Sequence, residues 1–335
     1  MTDSRSYNPR LRYNGEMAEG FMEGSLSFLR PEVIRSHASP EFPLFLNIDP
    51  TNACELRCEY CPTKYRARPW GFMDLELFRR VIDEVTDRPQ LFMLNLHKDG
   101  EPLLHRRLHE MIRYAKDRKV ARMIHMNTNG VSLSREKALR LLDSGIDDIT
   151  FSVDAASRET YAATKGRDKL HQVEENVRTF MALRTQRGQA HPFVRAKILE
   201  YSGTRREIEG FVARWSSIVD EVQVTGVHDW SGSIDVSVTE FQAPRRYPCV
   251  FLWYALAVNW DGQVSLCCVD WNLSAVVGDV RESSLHEIWT GPKVREARRL
   301  HVEQRFREVP LCHKCTVWSG GPDMGEWPAR AREFL

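Results

Sequence analysis

Between residues 43 and 240 the chain alternates between short apolar runs and longer stretches in which apolar and charged residues recur at helical spacing. The short runs have the length of strands, and the stretches between them have the length of helices. The predicted strands are Leu44–Ile48, Leu91–Leu96, Met123–Asn127, Asp148–Val153, Phe193–Leu199 and Glu221–Thr225. The predicted helices are Leu75–Thr86, Leu108–Lys119, Arg135–Ser144, His171–Arg184 and Thr204–Trp215. This alternation predicts an α/β fold, in which helices cover a parallel sheet.

The two ends of the chain have other patterns. Residues 1–42 are polar and mixed, and Pro31 is predicted to begin a short helix. After Pro244 comes an alternating hairpin, Tyr254–Asn259 and Gln263–Cys267, followed by an amphipathic helix over Leu285–Val302. We therefore predict an N-terminal extension (1–42), a core (43–240), a small hairpin-and-helix domain (245–320) and a tail (321–335).

Composition and charge limit the classes of protein to which this chain can belong. The chain has 335 residues, of which 42% are hydrophobic, enough for one large domain and a smaller one. Its 47 basic and 46 acidic residues nearly cancel, so bulk charge predicts no nucleic-acid partner. The sequence contains neither a signal peptide nor a membrane span, which predicts a cytoplasmic protein. In a reducing compartment its eight cysteines are better interpreted as metal or catalytic ligands than as disulfides.

Three of these cysteines form the first set: Cys54, Cys58 and Cys61, in the spacing Cys-x3-Cys-x2-Cys after the first predicted strand. Thiolates suit zinc or an iron–sulfur cluster. Structural zinc sites are normally closed by a fourth ligand, but the next histidine is His97 and the next cysteine is Cys249. Three thiolates hold three irons of a cubane cluster and leave the fourth iron open, which is the interpretation we favour over zinc or a redox disulfide.

This loop resembles that of the radical SAM enzymes, whose pattern is Cys-x3-Cys-x-aromatic-Cys, with Tyr60 in the aromatic position. The resemblance implies a partial (β/α)6 TIM-like barrel and a [4Fe–4S] cluster whose open iron binds S-adenosylmethionine (SAM). It also implies a 5′-deoxyadenosyl radical that takes a hydrogen atom from substrate, with the protein orienting the cofactor. A flavodoxin- or ferredoxin-type partner would supply the electron.

Parallel α/β barrels place their chemistry at the carboxyl ends of the strands. After the second strand, Gly100 and Glu101 resemble the family's Gly-Gly-Glu turn, which holds the methionine amino group, although Asp99 replaces its first glycine. After the third strand, Asn127 begins a sequence, Asn-Thr-Asn-Gly, that resembles the family's Thr-Asn-Gly turn. Without the resemblance, both sequences would be ordinary turns.

The fourth strand adds the remaining predicted cofactor contacts. The resemblance assigns Ser152 first and Asp154 second to the ribose hydroxyls. It also places Lys165 where the family has an arginine that pairs with the methionine carboxylate. Lysine supplies the charge without the planar fork of arginine, and a solvated lysine at a helix end is the alternative.

The second set of cysteines comprises Cys249, Cys267, Cys312 and Cys315. Four thiolates from a hairpin and a distant Cys-x2-Cys also describe a zinc ribbon. The spacing resembles the truncated SPASM, or twitch, domain, which implies one auxiliary [4Fe–4S] cluster. Cys268 is then the one cysteine without a cluster.

A fully ligated auxiliary cluster is suited to electron transfer, and so to the oxidation of an alcohol to a ketone. Asp270 is the first candidate for the base, followed by His228 and Arg195, which lies with Lys197 on one face of the fifth strand. Asp270 is alternatively a turn cap. Cys268 supports epimerisation instead, because a thiol can return a hydrogen atom to the opposite face of a substrate radical.

The twitch enzymes resembled here act on aminocyclitols and amino sugars, or on ribosomal peptides. The peptide-modifying relatives commonly carry a fused leader-binding domain, whereas 53 residues precede Cys54. We therefore expect a small polar substrate, with peptide maturation as the alternative. The non-enzymatic alternative is a zinc-binding scaffold.

Overall fold

A computed structural model describes residues 37–234, 246–317 and 331–332. They form a nine-stranded sheet in the order β6-β5-β4-β3-β2-β1-β7-β8-β9. The strands are β1 Phe45–Ile48, β2 Leu91–Asn95, β3 Ala121–Thr128, β4 Asp148–Ser152, β5 Phe193–Glu200, β6 Glu221–Gly226, β7 Ala255–Val258, β8 Gln263–Ser265 and β9 Val276–Asp279. The predicted helix at Pro31 lies outside the described residues.

Helices connect the strands. They are α1 Leu75–Thr86, α2 Leu108–Asp117, α3 Arg135–Ser144, α4 Arg158–Lys165, α5 Leu170–Gln186, α6 Ile208–Trp215, α7 Phe251–Tyr254, α8 Leu285–Trp289 and α9 Pro292–Val302. Short 3-10 turns cover Pro62–Tyr65, Pro102–Leu104, Arg205–Glu207, Phe306–Glu308 and Pro310–Cys312. No helix within the described ranges combines the length and the apolar character needed to cross a membrane.

The α/β prediction is confirmed, because β1 to β6 pair in parallel with their sequence neighbours and are separated by helices. All six predicted strands are present, with ends that differ by at most two residues. Local signals fix several helix ends. Asp74 caps α1 by accepting the backbone N–H of Glu76 at 2.8 Å, and Gly145 ends α3 in the left-handed region, with φ of 80°.

The two faces of the sheet have different chemistry. Alternate residues of the strands, such as Leu46, Ile124 and Ile198, are buried in the main hydrophobic cluster with the helices. The residues between them are largely polar and line the interior of the partial barrel, among them Asn47, His125 and Lys197. Barrels of this kind are usually filled with branched apolar side chains, so a polar interior indicates space kept for ligands.

One predicted helix is divided in two. The pattern predicted a continuous helix over Leu285–Val302, but α8 ends at Trp289 and α9 begins at Pro292. Proline lacks the N–H that a helix interior requires and restricts the residue before it, here Gly291, which is extended with ψ of 164°. Proline is favoured at the first position of a helix, so the prediction of one helix was wrong at this point.

The C-terminal hairpin belongs to the same sheet as the barrel. Strand β7 pairs in parallel with β1 over Phe45–Ile48, and β8 and β9 follow as antiparallel strands. A second hydrophobic cluster, which includes Phe45, Trp253 and Leu300, packs the hairpin and α9 against the barrel. The sheet is therefore continuous between the two cysteine sets.

Candidate active site

The first cysteine loop leaves β1 and is anchored at its start by backbone and hydroxyl contacts. The Thr51 hydroxyl donates to the carbonyl of Gly71 at 2.6 Å and accepts the N–H of Ala53 at 3.0 Å. These bonds hold the start of the stretch that carries Cys54, Cys58 and Cys61, whose thiols are partly buried and form no disulfide.

The turn after β2 is pressed against this loop. A Cβ atom on Gly100 would lie 2.1 Å from the carbonyl oxygen of Thr51 and 2.6 Å from that of Ala53, so only glycine fits. The neighbouring Glu101 donates its N–H to the carbonyl of Ala53 at 2.8 Å. Gly100 therefore allows β2 and the cysteine loop to meet backbone to backbone.

The carboxylate of Glu101 is almost fully buried and organises the next turn. It accepts the hydroxyl of Thr128 at 2.6 Å, the N–H of Asn129 at 2.7 Å and that of Leu103 at 3.0 Å. Burial and the nearby Glu55 raise its pKa to about 7. Glu101 lies beside the cysteine loop. Its contact with the methionine amino group stays a prediction.

Burial and neighbouring charges act on the pKa values of the thiols of the first set. Burial raises the pKa of Cys58 to about 11, while the ammonium of Lys165 opposes that shift. Burial also raises the pKa values of Cys54 and Cys61, and the Cys61 sulfur lies 2.9 Å from the hydroxyl of Thr63. Ligation requires thiolates, so the binding of a cluster releases protons from these groups.

An outer cavity of about 480 Å³ lies above the carboxyl ends of the strands. Predicted cofactor residues line it: Tyr60, Gly100, Glu101, Asn127, Ser152, Asp154 and Lys165. The three cysteines of the first set line it as well. The structure thus brings the predicted cluster and SAM residues into one cavity.

A buried cluster of charged and aromatic groups forms one wall of this cavity. Asp154 accepts the hydroxyl of Tyr60 at 2.6 Å, the ammonium of Lys165 at 2.5 Å and the N–H of Leu199 at 2.8 Å. Asp154 is also held in the left-handed region, with φ of 61°. These contacts occupy the carboxylate, which leaves Ser152 as the hydroxyl better placed for a ribose. Lys165 is paired with Asp154 and lies close to Cys58.

The second cysteine set is assembled from separate segments. Burial raises the pKa of Cys249, and the neighbouring thiols of Cys267, Cys312 and Cys315 raise it further. Arg246 faces the same group and donates to the carbonyl of Cys312 at 3.0 Å. The four predicted ligands therefore lie together, although almost seventy residues separate the first from the last.

An inner cavity of about 400 Å³ occupies the interior of the partial barrel. Polar side chains from β1 to β6 line much of it, and Phe45, Phe251 and Tyr254 contribute apolar surface. The inner and outer cavities have six lining residues in common: Asn47, His97, Asn127, Lys197, Thr225 and Cys268. We call these six residues the shared wall.

Arg195 lines the inner cavity and is held by two acids. Its guanidinium pairs with Asp148 and, at 2.9 Å, with Glu221, and its side chain is 2% exposed. Burial alone would raise the pKa of Asp148, but His125 and Arg195 outweigh it and keep that pKa below its usual range. Burial raises the pKa of Glu221. The predicted catalytic role of Arg195 stays a prediction, and its observed contacts are structural ion pairs.

Asp270 is placed as its alternative interpretation described. Its carboxylate accepts the N–H of Ser274 at 2.8 Å, the hydroxyl of Ser274 at 2.9 Å and the N–H of Ala275 at 2.9 Å. It lines neither cavity and is 1% exposed. These are the contacts of a turn cap, with no carboxylate oxygen directed to a substrate.

His228 and Cys268, the remaining candidates, both line the outer cavity. The His228 ring lies 4.5 Å from that of Trp230 and accepts the N–H of the same residue at 3.3 Å. Cys268 also lines the inner cavity and lies near Lys98. Lys98 itself pairs with Asp99 at 2.5 Å and donates to the carbonyl of Asp270 at 3.0 Å, which joins the β2 turn to the second cysteine region.

Sequence reasoning did not select four residues of the shared wall: Asn47, His97, Lys197 and Thr225. The alternation of β5 placed Lys197 on one face with Arg195. It did not show that the Lys197 amine has no hydrogen-bond or ion-pair partner in the described residues, or that burial lowers its pKa. His97 directly follows β2 and lines both cavities, which no local pattern indicated.

The donor chemistry fits the two cofactors. Two sets of soft thiolates suit iron–sulfur clusters, three donors in the first and four in the second. No group of three or more His, Cys, Asp or Glu side chains among the described residues is arranged to hold a single metal ion. Two buried atoms of the outer cavity, Oδ1 of Asp99 and Nδ1 of His97, have no partner among those residues, which is typical of a site that receives a ligand.

Family comparisons agree with this arrangement. Residues 48–186 match the Radical SAM superfamily, and residues 249–316 match SPASM, an iron–sulfur cluster-binding domain. The protein is therefore a radical SAM enzyme with a C-terminal iron–sulfur cluster-binding domain. The predictions of SAM, a SAM-binding [4Fe–4S] cluster and an auxiliary iron–sulfur cluster are confirmed, and the assignment of individual cysteines to these clusters stays a prediction.

Individual relatives are more distant. The chain is 24% identical over 315 residues to the tungsten-containing aldehyde ferredoxin oxidoreductase cofactor-modifying protein of Pyrococcus furiosus, covering 82% of this chain and 87% of that protein. It is similar to the structure of BtrN in complex with AdoMet and 2-DOIA, with a TM-score of 0.56 and 17% identity over 82% of this chain and 93% of BtrN. Streptococcus suis SuiB bound to precursor peptide SuiA has a TM-score of 0.64 and 12% identity, over 77% of this chain and 67% of SuiB. These structural similarities show the fold alone.

Proposed function

We propose that the enzyme removes a hydrogen atom from a carbinol carbon of a small polar substrate, an amino sugar or aminocyclitol, and oxidises that alcohol to a ketone. The shared wall is the observation that carries this proposal. It adjoins both the outer cavity, where the cofactor residues lie, and the polar inner cavity, so a substrate in the inner cavity would present one carbon to the cofactor. The structure of BtrN with AdoMet and 2-DOIA supports a SAM-and-ligand pair in this fold.

The inner cavity has the chemistry to bind hydroxyl and amino groups. The amide oxygen of Asn95 lines it and is buried without a partner in the described residues. Thr150, Gln223 and Thr225 add hydroxyl and amide groups to the same lining. Such side chains both donate and accept, which suits a polyol better than a hydrocarbon.

Lys197 is the proton acceptor in this proposal. It is the cation of the shared wall, and it has no ion-pair partner in the described residues. Burial lowers its pKa, which favours the neutral amine that can take a hydroxyl proton. Lys197 thus replaces Asp270, whose carboxylate is occupied within its own turn.

When bound, the cofactors supply the 5′-deoxyadenosyl radical that takes the hydrogen atom and an auxiliary cluster that accepts one electron. The hydroxyl proton goes to Lys197, so loss of a hydrogen atom, a proton and an electron converts the alcohol to the ketone. Cys267 belongs to the auxiliary set, and the next residue, Cys268, lies in the shared wall. This adjacency supports electron transfer from the substrate to the second cysteine region. We also propose a flavodoxin- or ferredoxin-type protein as the external donor.

A second candidate function is epimerisation of the same carbon. The observation that favours it is the thiol of Cys268, which lines both cavities and could return a hydrogen atom to the opposite face of the substrate radical. The thiyl radical that remains would need one electron and one proton, for which the auxiliary cluster is the electron source. Both functions begin with the same hydrogen abstraction.

The test is product mass. Anaerobically reconstituted and reduced enzyme is incubated with SAM in D2O, with a panel of aminocyclitols and amino sugars, and the products are returned to H2O before mass spectrometry. A product lighter by two hydrogen atoms establishes oxidation. A product heavier by one deuterium-for-hydrogen exchange, absent in Cys268→Ala, establishes epimerisation. If 5′-deoxyadenosine forms without modification of any panel member, the proposed substrate class is wrong.

Lys197→Met tests the base. We expect deuterium-labelled substrate still to transfer its label to 5′-deoxyadenosine, because hydrogen abstraction does not need the amine, while ketone formation falls by roughly a hundredfold or more. The matched control is Lys119→Met, which replaces an exposed lysine in the turn before β3. Ketone formation at the wild-type rate in Lys197→Met would contradict the assignment.

A further inference from the structure

A continuous series of hydrogen bonds begins in the shared wall. Nε2 of His97 lies 2.8 Å from the amide nitrogen of Asn127, and the amide oxygen of Asn127 lies 3.2 Å from Nε2 of His125. Nδ1 of His125 lies 2.6 Å from a carboxylate oxygen of Asp148, whose other oxygen binds Arg195. The series thus joins a residue of both cavities to buried ion pairs inside the barrel.

The donor and acceptor roles along this series are coupled. The carboxylate of Asp148 only accepts, so Nδ1 of His125 carries a proton. The amide oxygen of Asn127 also accepts, so Nε2 of His125 carries a second proton and the ring is an imidazolium. The amide nitrogen of Asn127 then donates to Nε2 of His97, and a neutral His97 must carry its own proton on Nδ1.

The alternative arrangement reverses the end of the series. If His125 loses the proton on Nε2, the amide of Asn127 must rotate by half a turn so that its nitrogen donates to His125. Its oxygen then accepts from Nε2 of His97, and Nδ1 of His97 loses its proton. One proton on His125 therefore decides whether Nδ1 of His97 is a donor or an acceptor.

We propose that His97 donates its Nδ1 hydrogen to the oxygen of the reacting carbinol, and that Asn127, His125 and Asp148 form a positioning relay that keeps the proton on that nitrogen. This rests on the proposed function, in which the same oxygen gives its proton to Lys197. Nδ1 of His97 is buried and has no partner in the described residues, so a substrate oxygen would satisfy it. A fixed donor at this oxygen stabilises the negative charge that develops as the proton leaves.

The surrounding charges favour the arrangement with a protonated His125. Two acids, Asp148 and Glu221, face two cations, Arg195 and the imidazolium of His125, so this buried group is neutral overall. A neutral His125 would leave one uncompensated negative charge in the barrel.

His97 has different surroundings. Burial lowers its pKa well below the usual value, and the neighbouring charge of His125 lowers it further. His97 is therefore neutral at physiological pH, and its single ring proton must lie on one of the two nitrogens. The rings of His97 and His125 meet edge to face, with centroids 5.3 Å apart.

The first experiment is nitrogen NMR of full-length protein with oxidised clusters, labelled with ¹⁵N in its histidine rings. The His97 signal is identified by its loss in His97→Gln. We expect His97 to be neutral with its proton on Nδ1. A proton on Nε2 of His97 in the wild type would overturn the relay.

Two variants test transmission along the series. Asn127→Leu removes the donor to His97, and His125→Leu removes the N–H that fixes the orientation of the Asn127 amide while leaving Asn127 in place. In both we expect the His97 proton to move to Nε2, because nothing then holds that nitrogen as an acceptor. An unchanged His97 tautomer in folded His125→Leu protein would overturn the proposal, and His125→Gln replaces that variant if it does not fold.

Activity provides the second readout. Loss of one charge-stabilising donor should lower the rate constant for ketone formation by roughly a hundredfold in Asn127→Leu. His125→Leu should lower the same rate constant by a similar factor, because Asn127 is then no longer held as the donor to His97. His171→Gln, at an exposed histidine of α5, should change neither the NMR signals nor the rate. A wild-type rate in folded His125→Leu protein would contradict the relay.

The two readouts separate this inference from the proposed function. The NMR experiment needs no substrate, so it decides the relay even if no aminocyclitol or amino sugar is converted. If the His97 proton lies on Nδ1 but no alcohol is oxidised, the proposed function fails and the relay stands.

Discussion

The two cysteine regions of this protein hold their thiols in different ways. The first set lies on one loop, where eight residues carry Cys54, Cys58 and Cys61, and other elements contribute non-thiol groups around it. The second set brings Cys249 and Cys267 together with Cys312 and Cys315 from beyond two helices. The first set has three thiols and the second has four.

This difference reflects what each site must do. At the first set the remaining position is surrounded by groups that suit a ligand, including the cavity lined by Glu101, Ser152 and Lys165. At the second set a fourth thiol would complete the predicted ligation, which suits electron transfer without substrate binding. An exchangeable cofactor therefore goes with a short local motif, and a closed cluster goes with ligands collected by the tertiary fold.

The largest expected effect is loss of the first cluster. Cys61→Ala should abolish SAM cleavage, because only two thiolates remain on the loop, and iron content should fall from about eight to about four atoms per chain. Iron analysis and 5′-deoxyadenosine formation measure both effects. Cys268→Ala, which removes a thiol outside both sets, should retain all the iron. If Cys61→Ala cleaved SAM at the wild-type rate, the first cysteine set would not be distinguished from the second by SAM cleavage.

Loss of the second cluster should have a narrower effect. In Cys315→Ala we expect about four irons per chain and continued SAM cleavage, because the first set keeps its three ligands. Product formation should stop if the auxiliary cluster exchanges electrons with the substrate. Complete loss of 5′-deoxyadenosine from a folded, half-loaded Cys315→Ala protein would show that the two regions are not independent.

The buried ion pairs of the inner cavity predict a pH dependence of stability. The native pKa of Asp148 lies below its unfolded value, so its contribution is fully present above the unfolded pKa and is lost as pH falls through the native one. Asp148→Asn should lower the free energy of unfolding by about 3 to 5 kcal/mol at neutral pH. Denaturant titrations should show this difference from wild type shrinking toward acidic pH. A difference that grows as pH falls would reverse the assigned sign.

Substitutions at two glycines compare how tightly the two cysteine regions are packed. A Cβ at Gly100 would meet the backbone of Thr51 and Ala53, whereas a Cβ at Gly278 would meet the side chain of Ile288 at 2.6 Å. Backbone cannot move aside as a side chain can, so Gly100→Ala should cost about 1 to 3 kcal/mol and weaken SAM binding. Gly278→Ala should cost less, as measured by thermal unfolding. Equal costs would indicate that the loop contact is not tighter than the hairpin contact.

Much of the fold followed from local pattern. The six strands and five of the six helices of the barrel were predicted within a few residues, because alternating and helical periodicities are properties of neighbouring residues. The short helix α4 was not predicted. The single predicted helix over Leu285–Val302 failed where Gly291 and Pro292 interrupt it. That local signal was present, but the apolar periodicity continued across it.

The candidate site was only partly accessible to sequence reasoning. Spacing identified both cysteine sets, and strand ends identified the residues that line the outer cavity. Asp270 looked available because it follows Cys267 closely, yet its carboxylate binds Ser274 and Ala275 a few residues later. The amine of Lys197 and Nδ1 of His97 have no partner in the described residues. That depends on which side chains face them from other strands, and no local pattern specifies it.

By itself the sequence determined the elements and the two cysteine sets, since these depend on residue type and short spacing, and the resemblance of its first cysteine loop to the radical SAM enzymes implied the class of cofactor. The tertiary structure alone decided that β7 continues the barrel sheet beside β1, that two cavities share a wall, and that Asn127 lies between His97 and His125. The physical reason is range. Periodicity and ligand spacing act within a few residues, whereas burial, charge compensation and hydrogen-bond partners arise between segments that meet only in the folded chain.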